Sequence, residues 1–251
     1  MSQHALQGRT EDELLWFQRR SFLRSAAAWT AAGGFAAAHA EQRSNIVELR
    51  GDALLNGQRM RPDSFIQTGD HVETGPGAHL IFVIGTSAFQ VRQNSRIRVE
   101  RGDTLNIVSL LRLLTGAVVS VWGKGSSRAI VTPTLTAGIR GTGVYTEVFP
   151  QQDNRSYFCN CYGVVELSVG NDRLESRSQY HQSFWSEATP RNGHLMSAAR
   201  PINHTDEELE YLAGLVGQRT AWQIAGHKGV KDGSGYLDPV PGAGNPLGTP
   251  R

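Results

Sequence analysis

From Asn45 to Val169 apolar and polar residues trade places over short distances, and Gly, Asn, Asp or Pro breaks the pattern at close intervals. Phe89 and Val91, then Ile97 and Val99, alternate with Gln90, Arg92, Arg96 and Arg98, a period of two that predicts half-buried strands with charge on the outer face. Leu80 to Ile84 is a continuous apolar run closed by Gly85-Thr86-Ser87, which suits a more deeply buried strand entering a tight turn. Further strands are predicted at Ala117 to Trp122, Ala129 to Thr132, Val144 to Phe149 and Tyr157 to Val169. Between Leu105 and Leu114 the apolar residues recur every three positions, so a short helix or an insertion competes with strand there. Near the C-terminus the period changes. Thr205-Asp206-Glu207-Glu208 has capping-box spacing, and Leu209, Leu212 and Val216 form one stripe of an amphipathic helix that ends near Gly217. Its stripe is expected to pack on the β domain.

The expected fold is therefore all-β with a C-terminal amphipathic helix. Twenty-eight glycines among 251 residues fit a fold with many turns. A net charge of +2 with 19% charged residues leaves no basic excess for a phosphate backbone, so nucleic acid is not an expected partner. Gln18-Arg19-Arg20-Ser21-Phe22-Leu23-Arg24 precedes an uncharged Ala- and Gly-rich stretch that ends Ala38-His39-Ala40. The arginine pair with Phe22 and Leu23 resembles a twin-arginine export signal, and the small residues Ala38 and Ala40 suit a signal peptidase cutting before Glu41. Residues 1–40 are read as this signal, 41–170 as the β domain, 171–225 as a β extension plus helix, and 226–251 as a Gly- and Pro-rich disordered tail. No stretch after the signal approaches the length of a spanning helix, so a periplasmic chain without a membrane span is expected once the signal is removed. The lesser alternative is anchoring by an uncleaved signal, whose sixteen or so weakly apolar residues fall short of the roughly 20 a span needs.

Several motifs follow one another in a recognisable order: Gly51 to Gly57, Thr68-Gly69-Asp70 through Thr74-Gly75, Gln93-Asn94-Ser95, Leu114-Thr115-Gly116-Ala117-Val118, Val131-Thr132-Pro133 and Arg140-Gly141-Thr142. In this order they resemble the FecR family, over roughly Val47 to Val148. Gly85-Thr86-Ser87 departs from the Asp-Gly-Ser turn more usual there. The resemblance implies a twisted, β-solenoid-like or β-roll domain and a periplasmic role, with a periplasmic or outer-membrane protein or a cell-envelope ligand as partner. FecR-type regulators also carry a cytoplasmic domain that binds a sigma factor, for which the first forty residues leave no room. Physically, Gly69 and Gly75 are expected at turns with positive φ, Asp70 to cap its own turn, Gly141 to allow close backbone approach, and Arg140 to pair with a carboxylate such as Glu147.

Cys159-Asn160-Cys161 is the other distinctive feature. Residues two apart on a strand share a face, so both sulfurs should lie side by side, yet too far apart for a disulfide without a bend. Buried packing, a bridge to a partner, and metal binding all remain open. A thiolate pair suits Cu(I) or Zn2+, with His181, His194 or His204 as a further ligand. No nucleophile elbow, phosphate loop or haem-attachment motif is present, so catalysis is not expected. The leading functional expectation is a periplasmic binding and signalling-accessory module. The alternative is a metal-handling protein centred on the Cys-x-Cys strand.

Overall fold

The computed structural model describes residues 44–102, 107–125 and 128–231. The export signal read at Arg19, Arg20, Phe22, Leu23, Ala38 and Ala40, and the tail beyond 231, lie outside these residues. The chain is all-β with short C-terminal helices. In order come β1 (Ile46–Arg50), β2 (Ala53–Leu55), β3 (Gln58–Arg59), β4 (His71–Thr74), β5 (His79–Ile84), β6 (Ser87–Val91) and β7 (Arg96–Arg101). Then follow β8 (Val108–Val121), β9 (Arg128–Val131), β10 (Thr136–Phe149), β11 (Arg155–Val169), β12 (Asp172–Ser178), β13 (Gln182–Arg191) and β14 (His194–Ala199). Helices α1 (Asp206–Leu215) and α2 (Ala221–Ala225) complete the described chain.

One sheet runs β14-β13-β11-β10-β9-β8-β7-β4-β2-β3, with β6, β5 and β1 branching from β8 and with β12 on β11. Every pairing among the described residues is antiparallel except β8 with β9. The branches arise because the long strands change partner along their length. β10 pairs with β9 over Thr136 to Ile139 and with β8 over Gly143 to Val148. Arg140-Gly141-Thr142 occupies the bulge between the two stretches, where the register with β11 also shifts. Gly141 has φ +59, and beside it Gly163 has φ +105 and lies where a Cβ would meet the Gly141 carbonyl at 3.1 Å. The close backbone approach expected at Gly141 thus depends equally on Gly163.

Period-two alternation divides the side chains between two apolar clusters. Phe158 of β11 and Val144 and Val148 of β10 join Phe82, Phe89, Trp122 and Phe184 in the larger one. Phe89 stacks on Phe82 at 5.0 Å and meets Trp122 edge-on at 5.1 Å. Tyr157, Cys159 and Cys161, together with Tyr145, point the other way and meet Leu209, Leu212 and Trp222 in the second. Helix α1 lies over this second face. Its capping box forms as expected, Glu208 N–H donating to Thr205 Oγ1 and Thr205 N–H to a Glu208 carboxylate oxygen. Burial of Leu209 and Leu212 contributes roughly 1.5–3 kcal/mol each.

Four expectations change. The stretch from Leu105 to Leu114 is strand from Val108 onward, because Arg96 to Arg101 of β7 pairs along it. Strand β6 is buried on both faces, since α1 covers the polar one and Glu208 accepts from Gln90 and Arg92. Gly69 has φ +105, but Gly75 does not take positive φ; Gly77 turns the chain at φ +67, while Gly75 donates to the Asp52 carbonyl. Arg140 pairs with Glu166 across β11, not with Glu147, because the intervening bulge separates the two along β10. Asp70 does cap its turn, accepting from Gln67 N–H at 2.8 Å, and Asn56 occupies its second oxygen. Thr74 accepts from Ser95 N–H, Gly116 abuts Ser95 at φ +79, Thr132 accepts from Leu135 N–H across the turn that holds Pro133, and Thr142 is buried.

Candidate metal centre

Two of the four donors come from β11. Cys159 and Cys161 project from the same face of the strand, fully buried, with their Sγ atoms 3.6 Å apart. The strand lies between β10 and β13 here, with Cys159 facing Tyr145 on one side and Ser183 on the other, while Cys161 falls at the register shift with β10.

The third donor arrives through a strained turn. His181 precedes β13 with φ +53, an uncommon conformation for a side-chain-bearing residue, and its backbone N–H donates to the Cys161 carbonyl at 2.9 Å. This conformation brings His181 Nδ1 to 3.6 Å from Cys159 Sγ. His204 follows Asn203, itself at φ +57, and brings Nε2 to 3.1 Å from His181 Nδ1. All four donor atoms lie within 4.8 Å of one another. His194, the remaining candidate, starts β14 on the exposed surface and takes no part.

The far nitrogen of each imidazole is also spoken for. His181 Nε2 lies 2.9 Å from an Asp206 carboxylate oxygen and His204 Nδ1 lies 2.6 Å from the Ile202 carbonyl. Both acceptors demand an N–H, so in the neutral imidazoles the two facing nitrogens carry lone pairs directed at one another and at the sulfurs. Two lone pairs at that separation repel unless a positive charge lies between them, supplied either by a metal ion or by the proton of a His204 imidazolium.

The protons of the cluster follow its charges. Burial pushes the Cys159 thiol up, but hydrogen bonding from Cys161, the positive charge of His204 and hydrogen bonds from both imidazoles outweigh it and hold Cys159 well below an ordinary thiol. Burial and the neighbouring Cys159 thiolate drive Cys161 well above it. Burial disfavours the His204 imidazolium, yet the Cys159 thiolate wins and raises that group. Burial likewise pushes Asp206 up, but hydrogen bonds from Lys228, Tyr180 and Lys231 hold it far below the usual carboxylate range. Asp206 is thus a permanent anion at the back of His181.

Aromatic rings close the surroundings. Tyr145 stacks on His204 at 4.7 Å, while Tyr180 meets His181 edge-on at 4.7 Å and Trp222 stacks on it at 5.3 Å. Sequence alone nominates Cys159, Cys161 and a choice of histidines. It misses Asp206, legible there only as a first-turn acid, and Trp222, Lys228 and Lys231, whose proximity depends on the docking of the helices.

No family model matches the chain, and no curated protein matches it. Among solved structures it is similar to two crystal structures of a candidate anti-sigma factor from Parabacteroides distasonis ATCC 8503, at 14% identity and a TM-score of 0.44 each. The alignments cover 58% and 60% of this chain, and 64% and 65% of the matched chains, less than two thirds of their length.

Proposed function

We propose that the protein is a FecR-like module of the bacterial cell envelope, built around one tightly held soft metal ion bound by Cys159, Cys161, His181 and His204. The observation that carries this reading is the size of the donor cluster. A tetrahedral ion with bonds of ~2.3 Å to sulfur and ~2.0–2.1 Å to nitrogen requires edges of about 3.8 Å between sulfurs, about 3.6 Å between sulfur and nitrogen, and about 3.3 Å between nitrogens. Of the six donor separations here, the sulfur pair is 3.6 Å, Cys159 to His181 3.6 Å and the nitrogen pair 3.1 Å, and the other three lie within 4.8 Å.

Charge selects among soft ions. Two thiolates and two neutral imidazoles carry two negative charges, which Zn2+ cancels and Cu(I) does not, and a buried net charge is costly. Zinc is therefore the proposed occupant. Four protein ligands fill its coordination sphere, so the ion serves to hold structure and not to activate water. It would tie β11 to the turn before β13 and to the entry of α1, joining three segments distant in sequence. Asp206 and the Ile202 carbonyl orient the two imidazoles.

The decisive experiment is elemental analysis with free-thiol titration on the full chain purified from cells grown with ordinary trace metals. One zinc per chain, lost when Cys159 and Cys161 are both replaced by serine, supports the reading; reactive thiols and no metal sink it. Near-stoichiometric copper would keep the site and change its ion.

The same proposal keeps the exported setting and the role of binding and signalling accessory, for which the motif order from Gly51 to Thr142 is the support. Replacing Arg19 and Arg20 by lysine should leave the chain in the cytoplasm. Its presence in the periplasm regardless of that change would remove the twin-arginine part.

A further inference from the structure

The described chain does not stop at α1. Residues 219–231 turn back over the metal centre and touch it at three side chains. Trp222, 2% exposed, lays its indole on His181 with the rings 24° from parallel and donates its N–H to Glu210. Lys228 Nζ lies 2.8 Å from one Asp206 oxygen and Lys231 Nζ 3.0 Å from the other. Lys231 also stands over the Tyr180 ring at 5.6 Å. Asp206 is the carboxylate that accepts from His181 Nε2, so both lysines close on the outer partner of a ligand.

The hold on this segment is weak compared with what lies beneath it. Helix α2 is five residues long and buries only Trp222, while Ile224 and Val230 are 70% and 66% exposed. Cys159, by contrast, sits within ladders on both sides of β11, and Cys161, fully buried, lies at the β10 register shift with its carbonyl accepting from His181 N–H. Elements with few buried contacts and exposed ion pairs open at far lower free energy than core strands. The cheapest path between the centre and solvent therefore runs through release of this segment, which uncovers the His181 face that Trp222 stacks on and strips both lysines from Asp206 without breaking the sheet.

We infer that Ala221 to Lys231 is a latch that governs how fast the ion enters and leaves. The inference rests on the metal reading. Opening removes Trp222 from the His181 ring and both ammonium groups from Asp206. The imidazole then keeps only the Tyr180 ring edge against it, and its carboxylate keeps only Tyr180 and His181 as partners, so His181 is held less firmly and can leave the ion. Closure restores the stack and the ion pairs and retains the ion.

The test uses the full chain loaded with zinc and mixed with the chromophoric chelator 4-(2-pyridylazo)resorcinol. For the wild type, release should reach a rate independent of chelator concentration, because opening limits it. Trp222→Ala, and separately Lys228→Ala with Lys231→Ala, should accelerate release roughly ten- to a hundredfold while each still loads one zinc. The lysine pair is partly exposed, so that variant keeps the fold even if Trp222→Ala does not. Ile224→Ala, on the outer surface of the latch, should release at the wild-type rate. Zinc loaded fully and released at wild-type speed from the lysine variant overturns the latch and leaves the metal site standing. A wild-type chain that takes up no zinc overturns both.

Discussion

The two sides of the long strands β10 and β11 solve opposite problems with the same backbone. One side turns Val144, Val148 and Phe158 into a cluster with Phe82, Phe89 and Trp122, where area removed from water and ring packing hold the sheet together. The other turns Tyr145, Cys159 and Cys161 toward two histidines and a helix, where polar atoms are buried and must each find a partner. The first kind of region tolerates change in proportion to volume. The second depends on a few atoms at fixed separations, so its failure should be nearly all-or-none.

The largest effect expected separates the two regions directly. Stripping zinc with a strong chelator should lower the melting temperature of the wild type markedly, since structural zinc sites carry apparent binding free energies of about 10–16 kcal/mol. The Cys159→Ser, Cys161→Ser chain should melt at one temperature with or without chelator, and a chelator-insensitive wild type would break the distinction. Next, Phe89→Ala should cost about 3–5 kcal/mol in denaturant unfolding while zinc content stays at one per chain. Loss of zinc from that variant would mean that the two clusters are not independent.

A finer cut is Asp206→Asn. The amide keeps the shape but removes the anion behind His181, and competition with a chelator should report zinc affinity weakened about 10- to 100-fold. Unchanged affinity would reduce Asp206 to a helix residue. Proton release sharpens the same point. Without an ion Cys161 favours its thiol and His204 its imidazolium, so zinc must displace protons from both, and affinity should rise with pH and fall toward acid. Calorimetry in buffers of different ionisation enthalpy measures the protons released. The smallest effect is at the helix entry, where Thr205→Ala should cost about 1 kcal/mol and slightly loosen His204 without abolishing metal uptake.

Local chemistry was readable before the fold was known. Period two predicted the strands at Phe89 and Ile97, an unbroken apolar run predicted the one at Leu80, and the capping box at Thr205 placed the start of α1 where it begins. The same period put both sulfurs on one face of β11. Sequence spacing could not choose among His181, His194 and His204, because the choice depends on strand pairing. β13 returns beside β11 with His181 at its entry, and the chain beyond β14 carries His204 back to the sulfurs, whereas His194 begins β14 on the exposed surface. Nor could it show that Gln90 and Arg92 would be covered, since a strand cannot record which helix will dock on its polar face.

What the sequence by itself determined is what depends on neighbours a few positions apart: strand and helix periods, the helix cap, turn glycines such as Gly69, and the paired cysteines. The tertiary structure alone decided what depends on separations of twenty residues or more. That covers which histidines meet the thiols, that Asp206 stands behind His181, that Arg140 pairs with Glu166, and that Lys228 and Lys231 close over the centre. The physical reason is range: backbone sterics and local hydrogen bonds act within a turn, whereas a metal-sized cluster exists only once distant segments have been packed into register.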